Sequence, residues 1–210
     1  SLVMAGQTLK ELGFTEEVDA KYSSVKEAVF PFVRFPGHDV ILSPEMKSTG
    51  EVMGISSNAG LAFLKAQVMA GNSIPEAGAI MVTVMDRDKD KILPHMKDLA
   101  ELGFEIYATK GTATFLYENG VKAHALFKIS EGQPNTLDLI KDGTIKWIIN
   151  TPSGSQPRKD EVAMRAGAIR NGIPMTTTIP ALAAAVDGLK HLGSGQSFGV
   201  LSLQEIHGLD

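Results

Sequence analysis

"EIYATKGTATFLYENG", residues 105–120, passes from one kind of secondary structure to another within a few residues. Ile106 and Tyr107 read as the end of a strand, and Phe115 and Leu116 as the buried side of a helix. Between them stand Thr109, Lys110, Gly111 and Thr112. A strand running into a helix through so short a corner is one unit of an alternating α/β fold.

The same rhythm extends in both directions. "AIMVTV" (79–84) suits a buried strand. Asp88 is expected to cap a helix whose apolar face holds Ile92, Met96 and Leu99 and which stops at Gly103. After the corner the pattern predicts a helix from about 112 to 118. "LIKDG" closes a short helix before the strand "KWIIN" (146–150). A helix over 159–170 is closed by Asn171-Gly172. "PMTTT" reads as a strand end, "IPALAAAVDGLKHL" as a helix with Pro180 in its first turn, and "FGVLSL" as a last strand. The expected fold is α/β, a doubly wound and mostly parallel sheet with helices on both faces.

Residues 1–72 have another character. Val25 and Val29 flank Glu27 in a strand-like run, Phe30, Phe32 and Phe35 crowd together, and Pro31, Pro36 and Pro44 interrupt regular structure. Residues 57–70 read as a helix, with Leu61, Leu64, Lys65 and Val68 at helical spacing. "AGNSIPEAG" (70–78) is a linker candidate. The expectation is a partial α+β extension over 1–72, then the α/β domain over 73–210.

Bulk composition narrows the function. The chain has 210 residues, 43% hydrophobic and 21% charged, enough to bury a full core. A net charge of −4 without a basic block argues against nucleic acid as a partner. No cysteine is present, so disulfides and thiolate metal sites are excluded. His38, His95, His124, His191 and His207 are scattered without metal-ligand spacing, so no metal site is expected. No apolar run suits a membrane span, and no signal peptide is evident. The opening Ser-Leu points to a piece of something longer.

In an open α/β sheet, ligands sit beyond the carboxyl ends of the strands. Those ends deliver Thr83, Asp86, Asp88 and Lys89; then Thr109, Lys110, Gly111 and Thr112; then Lys128; then Asn150, Thr151, Ser153 and Gly154; then Thr176, Thr177 and Thr178. The set is rich in small hydroxyls, glycines and lysines and lacks a His/carboxylate couple. It suits an anion that is held rather than a bond that is broken. Gly111 lets backbone approach a ligand, and the helix behind it offers unpaired N–H groups and partial positive charge. Phosphate is the natural guest, and Asn150 can read an adjoining sugar or base. Neither Ser153 nor Ser155 sits in a nucleophile elbow, so no catalytic residue is assigned.

"SVKEAVFPFVRFPGHDVILSPEMKSTGEVMG" (24–54) closely resembles a segment of carbamoyl-phosphate synthase large subunits, and "GTA" and "INTPSG" add to the likeness. The resemblance implies that residues 1–72 are the end of an ATP-grasp synthetase half with its linker. It implies a methylglyoxal-synthase-like allosteric domain for 73–210. The family makes carbamoyl phosphate from bicarbonate, glutamine-derived ammonia and ATP, for pyrimidine and arginine synthesis, beside a small glutamine amidotransferase subunit. ATP with Mg or Mn, and K, is thus implied for an intact parent; no cofactor and no catalysis are expected of this fragment alone. A cytoplasmic setting and a homo-oligomer follow from the same likeness.

In the family this module binds regulatory nucleotides, UMP as inhibitor and in some members IMP as activator. The family's contacts match here at Thr83, Lys89, Thr109, Gly111, Thr112, Lys128 and Asn150, with Thr151 beside it. Some members have a second threonine where this chain has Pro152, which has no hydrogen to donate. Some also bind ornithine at positions matching Glu27 and Thr177, next to an aromatic that is Met175 here. The alternative on the same fold is a methylglyoxal-synthase-type lyase. It needs a carboxylate base near a triose phosphate, and "INTPSG" offers none at that strand end.

Overall fold

Alternation along residues 79–83 sets the two faces of the main sheet. Ile80 and Val82 enter one hydrophobic cluster, Ala79 and Met81 another, as the two-residue period of a strand requires. This is a computed structural model, and it describes residues 1–17, 20–29, 50–127, 129, 131–152 and 159–208. The phenylalanine- and proline-rich stretch 30–49, which holds His38 and most of "PEMKSTGEVMG", lies outside the described residues.

The elements in chain order are β1 (Ser23–Val29), β2 (Gly50–Ser56), α1 (Ala59–Met69), β3 (Ala79–Thr83), α2 (Lys89–Glu101), β4 (Glu105–Thr109), α3 (Lys110–Glu118), β5 (His124–Leu126), α4 (Thr136–Lys141), β6 (Ile145–Asn150), α5 (Lys159–Arg170), β7 (Met175–Thr176), α6 (Ile179–Gly193) and α7 (Leu203–His207). Five strands form a sheet in the order β5-β4-β3-β6-β7, with every adjacent pair parallel. The fold is therefore doubly wound α/β, as expected from the sequence. Side chains of α2, α3 and α6 share the cluster on one face, and α4 and α5 supply that on the other. Strand order reverses between β3 and β6, so the crevice that receives ligands in such sheets opens where Thr83 lies beside Asn150.

The extension is a separate antiparallel pair, β1 with β2, in which Glu27 faces Val52 across the ladder. Helix α1 packs on this pair and on α6. Its buried residues include Leu61, Ala62, Leu64 and Ala66, so it is apolar on more than one side.

Three local expectations are corrected. Residues 198–203 form no strand: Val200 is 95% exposed, and the run ends in α7. There Ser202 Oγ accepts from the Glu205 N–H at 3.1 Å, and the Ser202 N–H donates to Glu205 Oε2 at 2.6 Å. That reciprocal capping pulls the end of the apolar run into helix. Asp88 does not cap α2 with its side chain. It belongs to a 3₁₀ turn, Asp86–Asp88, that already has helical backbone angles, and its carboxylate pairs with Lys91 Nζ at 3.3 Å. Helix α3 starts at Lys110 rather than near residue 112, because Thr109 is the last extended residue.

Candidate functional site

The first turn of α3 opens into a cleft of about 840 Å³ beyond the carboxyl ends of the parallel strands. Thr83, Lys89, Thr109, Gly111, Thr112 and Thr151, all expected from the sequence, line it together. Four separate chain segments bring them there: the end of β3, the start of α2, the β4–α3 corner and the end of β6.

The α3 terminus is chemically open. Thr109 occupies the N-cap position with extended angles, yet its side chain caps no backbone N–H. Its hydroxyl faces Thr112 Oγ1 at 3.4 Å instead. By contrast Asn58, Asn135, Thr178 and Ser202 all cap their helices through the side chain. The first-turn amides of α3 point toward the cleft with the partial positive charge of the helix end.

Lys89 is held over that turn. Its Nζ donates to the Gly111 carbonyl at 3.1 Å and pairs with Asp86 Oδ1 at 2.8 Å. It also sits 6.0 Å from the centroid of the Phe115 ring. With only 17% of its side chain exposed, this ammonium is placed by its neighbours rather than free to swing in water. Thr151 Oγ1 accepts from the Met85 N–H at 3.1 Å, tying together the two loops that diverge at the switch point.

Asn150 is brought to the neighbourhood but not to the cleft wall. It is 1% exposed. Its Nδ2 donates to the Thr83 carbonyl at 3.2 Å, and its Oδ1 accepts from Arg165 Nη2 at 3.0 Å. Arg165 in turn lies 3.8 Å from Glu161, a residue that does line the cleft. Lys128, Ser153, Gly154 and Ser155 lie outside the described residues.

Glu27 and Thr177 are placed elsewhere, and neither lines this cleft. Glu27 is half-buried and accepts from Gln67 Nε2 of α1 at 2.9 Å. Thr177 is exposed between β7 and α6. Thr176, its neighbour, is buried and accepts from Trp147 Nε1 at 3.0 Å.

Sequence reading missed part of the wall. Arg87 adds positive charge, while Glu131, Asp160 and Glu161 add carboxylates, beside the Asp86 and Lys110 already expected at the strand ends. Asp160 and Glu161 stand in the first turn of α5, where acids are common partners of the helix dipole. In the sequence nothing beyond that familiar pattern marked them. Among the described residues, no group of three or more His, Asp or Glu is arranged to hold a metal ion, and no helix is long and apolar enough to cross a membrane.

Comparison with known proteins finds three kinds of similarity. Residues 91–177 match the family model described as MGS-like domain. The chain is 46% identical over 205 residues to the carbamoyl phosphate synthase large chain of Pseudomonas putida, covering 98% of this chain and 19% of that one. It is 47% identical over 195 residues to the carbamoyl phosphate synthase large chain, C-terminal section, of Aquifex aeolicus, covering 91% of this chain and 36% of that one. Among solved structures, methylglyoxal synthase from Elizabethkingia anophelis aligns with a TM-score of 0.45 at 17% identity, over 54% of this chain and 79% of that one. The chain thus spans only a minor part of the length of the curated relatives it matches.

Proposed function

From the premise that this chain carries an MGS-like domain and is related along nearly its whole length to carbamoyl phosphate synthase large chains, we propose that it is the regulatory part of such a large chain. Its cleft holds the phosphate of a nucleotide effector, with UMP as inhibitor and IMP as a second candidate. The observation that carries this reading is the uncapped start of α3, opening into the cleft with Lys89 held over Gly111. A phosphate there accepts hydrogen bonds from first-turn amides and from Thr109 and Thr112, and Lys89 balances its charge. Thr83 and Thr151 face the remainder of the ligand, and Asn150 orders the floor behind them.

On this reading the parent is a ligase that makes carbamoyl phosphate from bicarbonate, glutamine-derived ammonia and ATP for pyrimidine and arginine synthesis. It works in the cytoplasm, as a homo-oligomer, with a small glutamine amidotransferase subunit. ATP and its metal ions belong to parts of that parent outside this chain, which by itself performs no catalysis. Residues 1–72 are the end of the synthetase half and 73–210 the effector domain. Glu27 and Thr177, away from the cleft, would serve an amino-acid effector at a second place.

The test is thermal denaturation of the chain with UMP, IMP or inorganic phosphate. Ligand at about a hundred times its dissociation constant adds roughly 2.7 kcal/mol of stability. Thr112→Val and Lys89→Met each remove a hydrogen bond to a charged group, about 1.5–3 kcal/mol, and weaken binding by about tenfold or more. A melting temperature that none of the three ligands raises would remove the basis of the proposal.

One observation favours a second reading. Asp86, Glu131, Asp160 and Glu161 line the same cleft, so carboxylates do stand near the phosphate position. A methylglyoxal-synthase-type lyase would use one as a base on a triose phosphate. Methylglyoxal released from dihydroxyacetone phosphate by the purified chain would support that reading over the first.

A further inference from the structure

Helix α1 is gripped on two opposite faces. Against α6, a Cβ added at Gly188 would fall 2.6 Å from the Gly60 carbonyl oxygen and 2.7 Å from Leu64 Cδ1. Against β2, a Cβ added at Gly54 would run into the Ala62 carbonyl oxygen and fall 2.7 Å from the Ala66 nitrogen and 3.0 Å from Lys65 Cβ. At 3.6 residues per turn, positions 60 and 64 lie about 200° around the helix from 62 and 66. Backbone therefore meets backbone on both sides, and neither contact has room for one more carbon.

Asn58 fastens the end of α1 to α6. Its Oδ1 accepts from the Leu61 N–H at 2.8 Å, capping α1, while its Nδ2 donates to Asp187 Oδ2 of α6 at 3.0 Å. Helix α6 is in turn joined to α2. Leu182, Val186 and Leu189 share a core with Ile92, Met96 and Leu99, and Lys190 Nζ pairs with Asp98 Oδ1 at 3.1 Å. Helix α2 begins at Lys89, in the cleft wall.

We infer that α1 is the coupling element of the molecule. It joins the β1–β2 pair to the helical face of the main sheet as one body. A shift of α2 at the cleft is delivered to β1–β2 through α6 and α1, not along the 70–78 linker. Close-packed contacts of this kind pass on small displacements because they cannot deform smoothly. That the shift starts in the cleft rests on the ligand reading above; the coupling through α1 does not.

Hydrogen exchange of the whole chain in rising denaturant, with and without UMP, tests this for the wild type, Gly188→Ala and Asn58→Ala. In the wild type, amides of α1, β2 and α6 should open along one common curve. In either variant, α1 and β2 amides should exchange at least about tenfold faster relative to those of α6. Asn58→Ala adds no bulk, so it keeps the test decisive if Gly188→Ala does not fold. UMP should alter exchange in β2 of the wild type and do so less in the variants. Separate opening of α1 and β2 from α6 in the wild type overturns the inference. So does an unchanged α1-to-α6 ratio in Asn58→Ala, or a β2 that does not respond while UMP protects the first turn of α3. If UMP protects no amide of that turn, the ligand reading falls, and the comparison of wild type with variants still decides the coupling.

Discussion

Replacing Gly111 by alanine separates a glycine kept for the fold from one kept for a ligand. Gly111 is the second residue of α3, and a Cβ placed on it would meet only Lys89 Nζ within 4 Å, at 3.6 Å. That is an ordinary contact with the movable end of a side chain, so the fold accepts the methyl without strain. Gly111 is not among the positive-φ glycines, so alanine takes up the same backbone angles. Alanine should then stabilise the ligand-free chain by about 0.5–1 kcal/mol, the usual difference from glycine within a helix. For a chain of this size that raises the melting temperature by about 1–4 °C. The same methyl occupies the approach to the first-turn amides. A phosphate forced to stand back loses at least one charge-assisted hydrogen bond, about 1.5–3 kcal/mol, and affinity falls by about tenfold or more. Thermal denaturation with and without UMP reads both effects, which have opposite signs. A lowered melting temperature without ligand would mean the glycine is structural. An unchanged ligand-induced shift would mean no ligand comes near residue 111. Either result refutes the reasoning.

The other predictions concern packing, charge and the tail. Trp147, the single tryptophan, is fully buried and donates to Thr176; Trp147→Phe should destabilise by about 1–3 kcal/mol, read by circular dichroism in urea. Burial holds the His95 pKa below its ordinary value, Lys190 pushes the same way, and Asp98 opposes them. The unfolded chain then takes up that proton more readily than the folded one, so stability falls as pH drops through the unfolded value of about 6.5. The urea midpoint should fall less for His95→Gln than for the wild type between about pH 7.5 and 5.5. Lys65 Nζ donates to the carbonyls of Ile55 at 2.8 Å and Gly199 at 2.7 Å, holding the tail against the extension. Lys65→Met should speed proteolysis within residues 196–208 and leave the five-stranded sheet intact.

The corner at 105–120 was readable because its information is local. The switch from strand to helix period, a hydroxyl-bearing turn and the apolar Phe115-Leu116 pair all lie within one window. The C-terminal end of helix α5 was readable for the same reason, with Asn171-Gly172 just past its last residue. What required the fold was partnership across distance. Asn150 looks free at a strand end, but parallel pairing sets it beside Thr83, and Arg165, one helix later, takes its carbonyl. Glu27 alternates with Val25 and Val29, so it shares their inward face and meets Gln67. The α5 carboxylates Asp160 and Glu161 line the cleft together with Thr83, a residue far from them in sequence. The "FGVLSL" run has strand composition, yet a capping box formed by Ser202 and Glu205 decides its end.

The most direct test of the phosphate grip is an NMR titration that follows the backbone amides of Lys110, Gly111 and Thr112 as UMP is added. These amides should shift first and furthest, with the phosphorus resonance moving in step. Saturable binding that leaves all three in place while amides elsewhere move would contradict the phosphate grip.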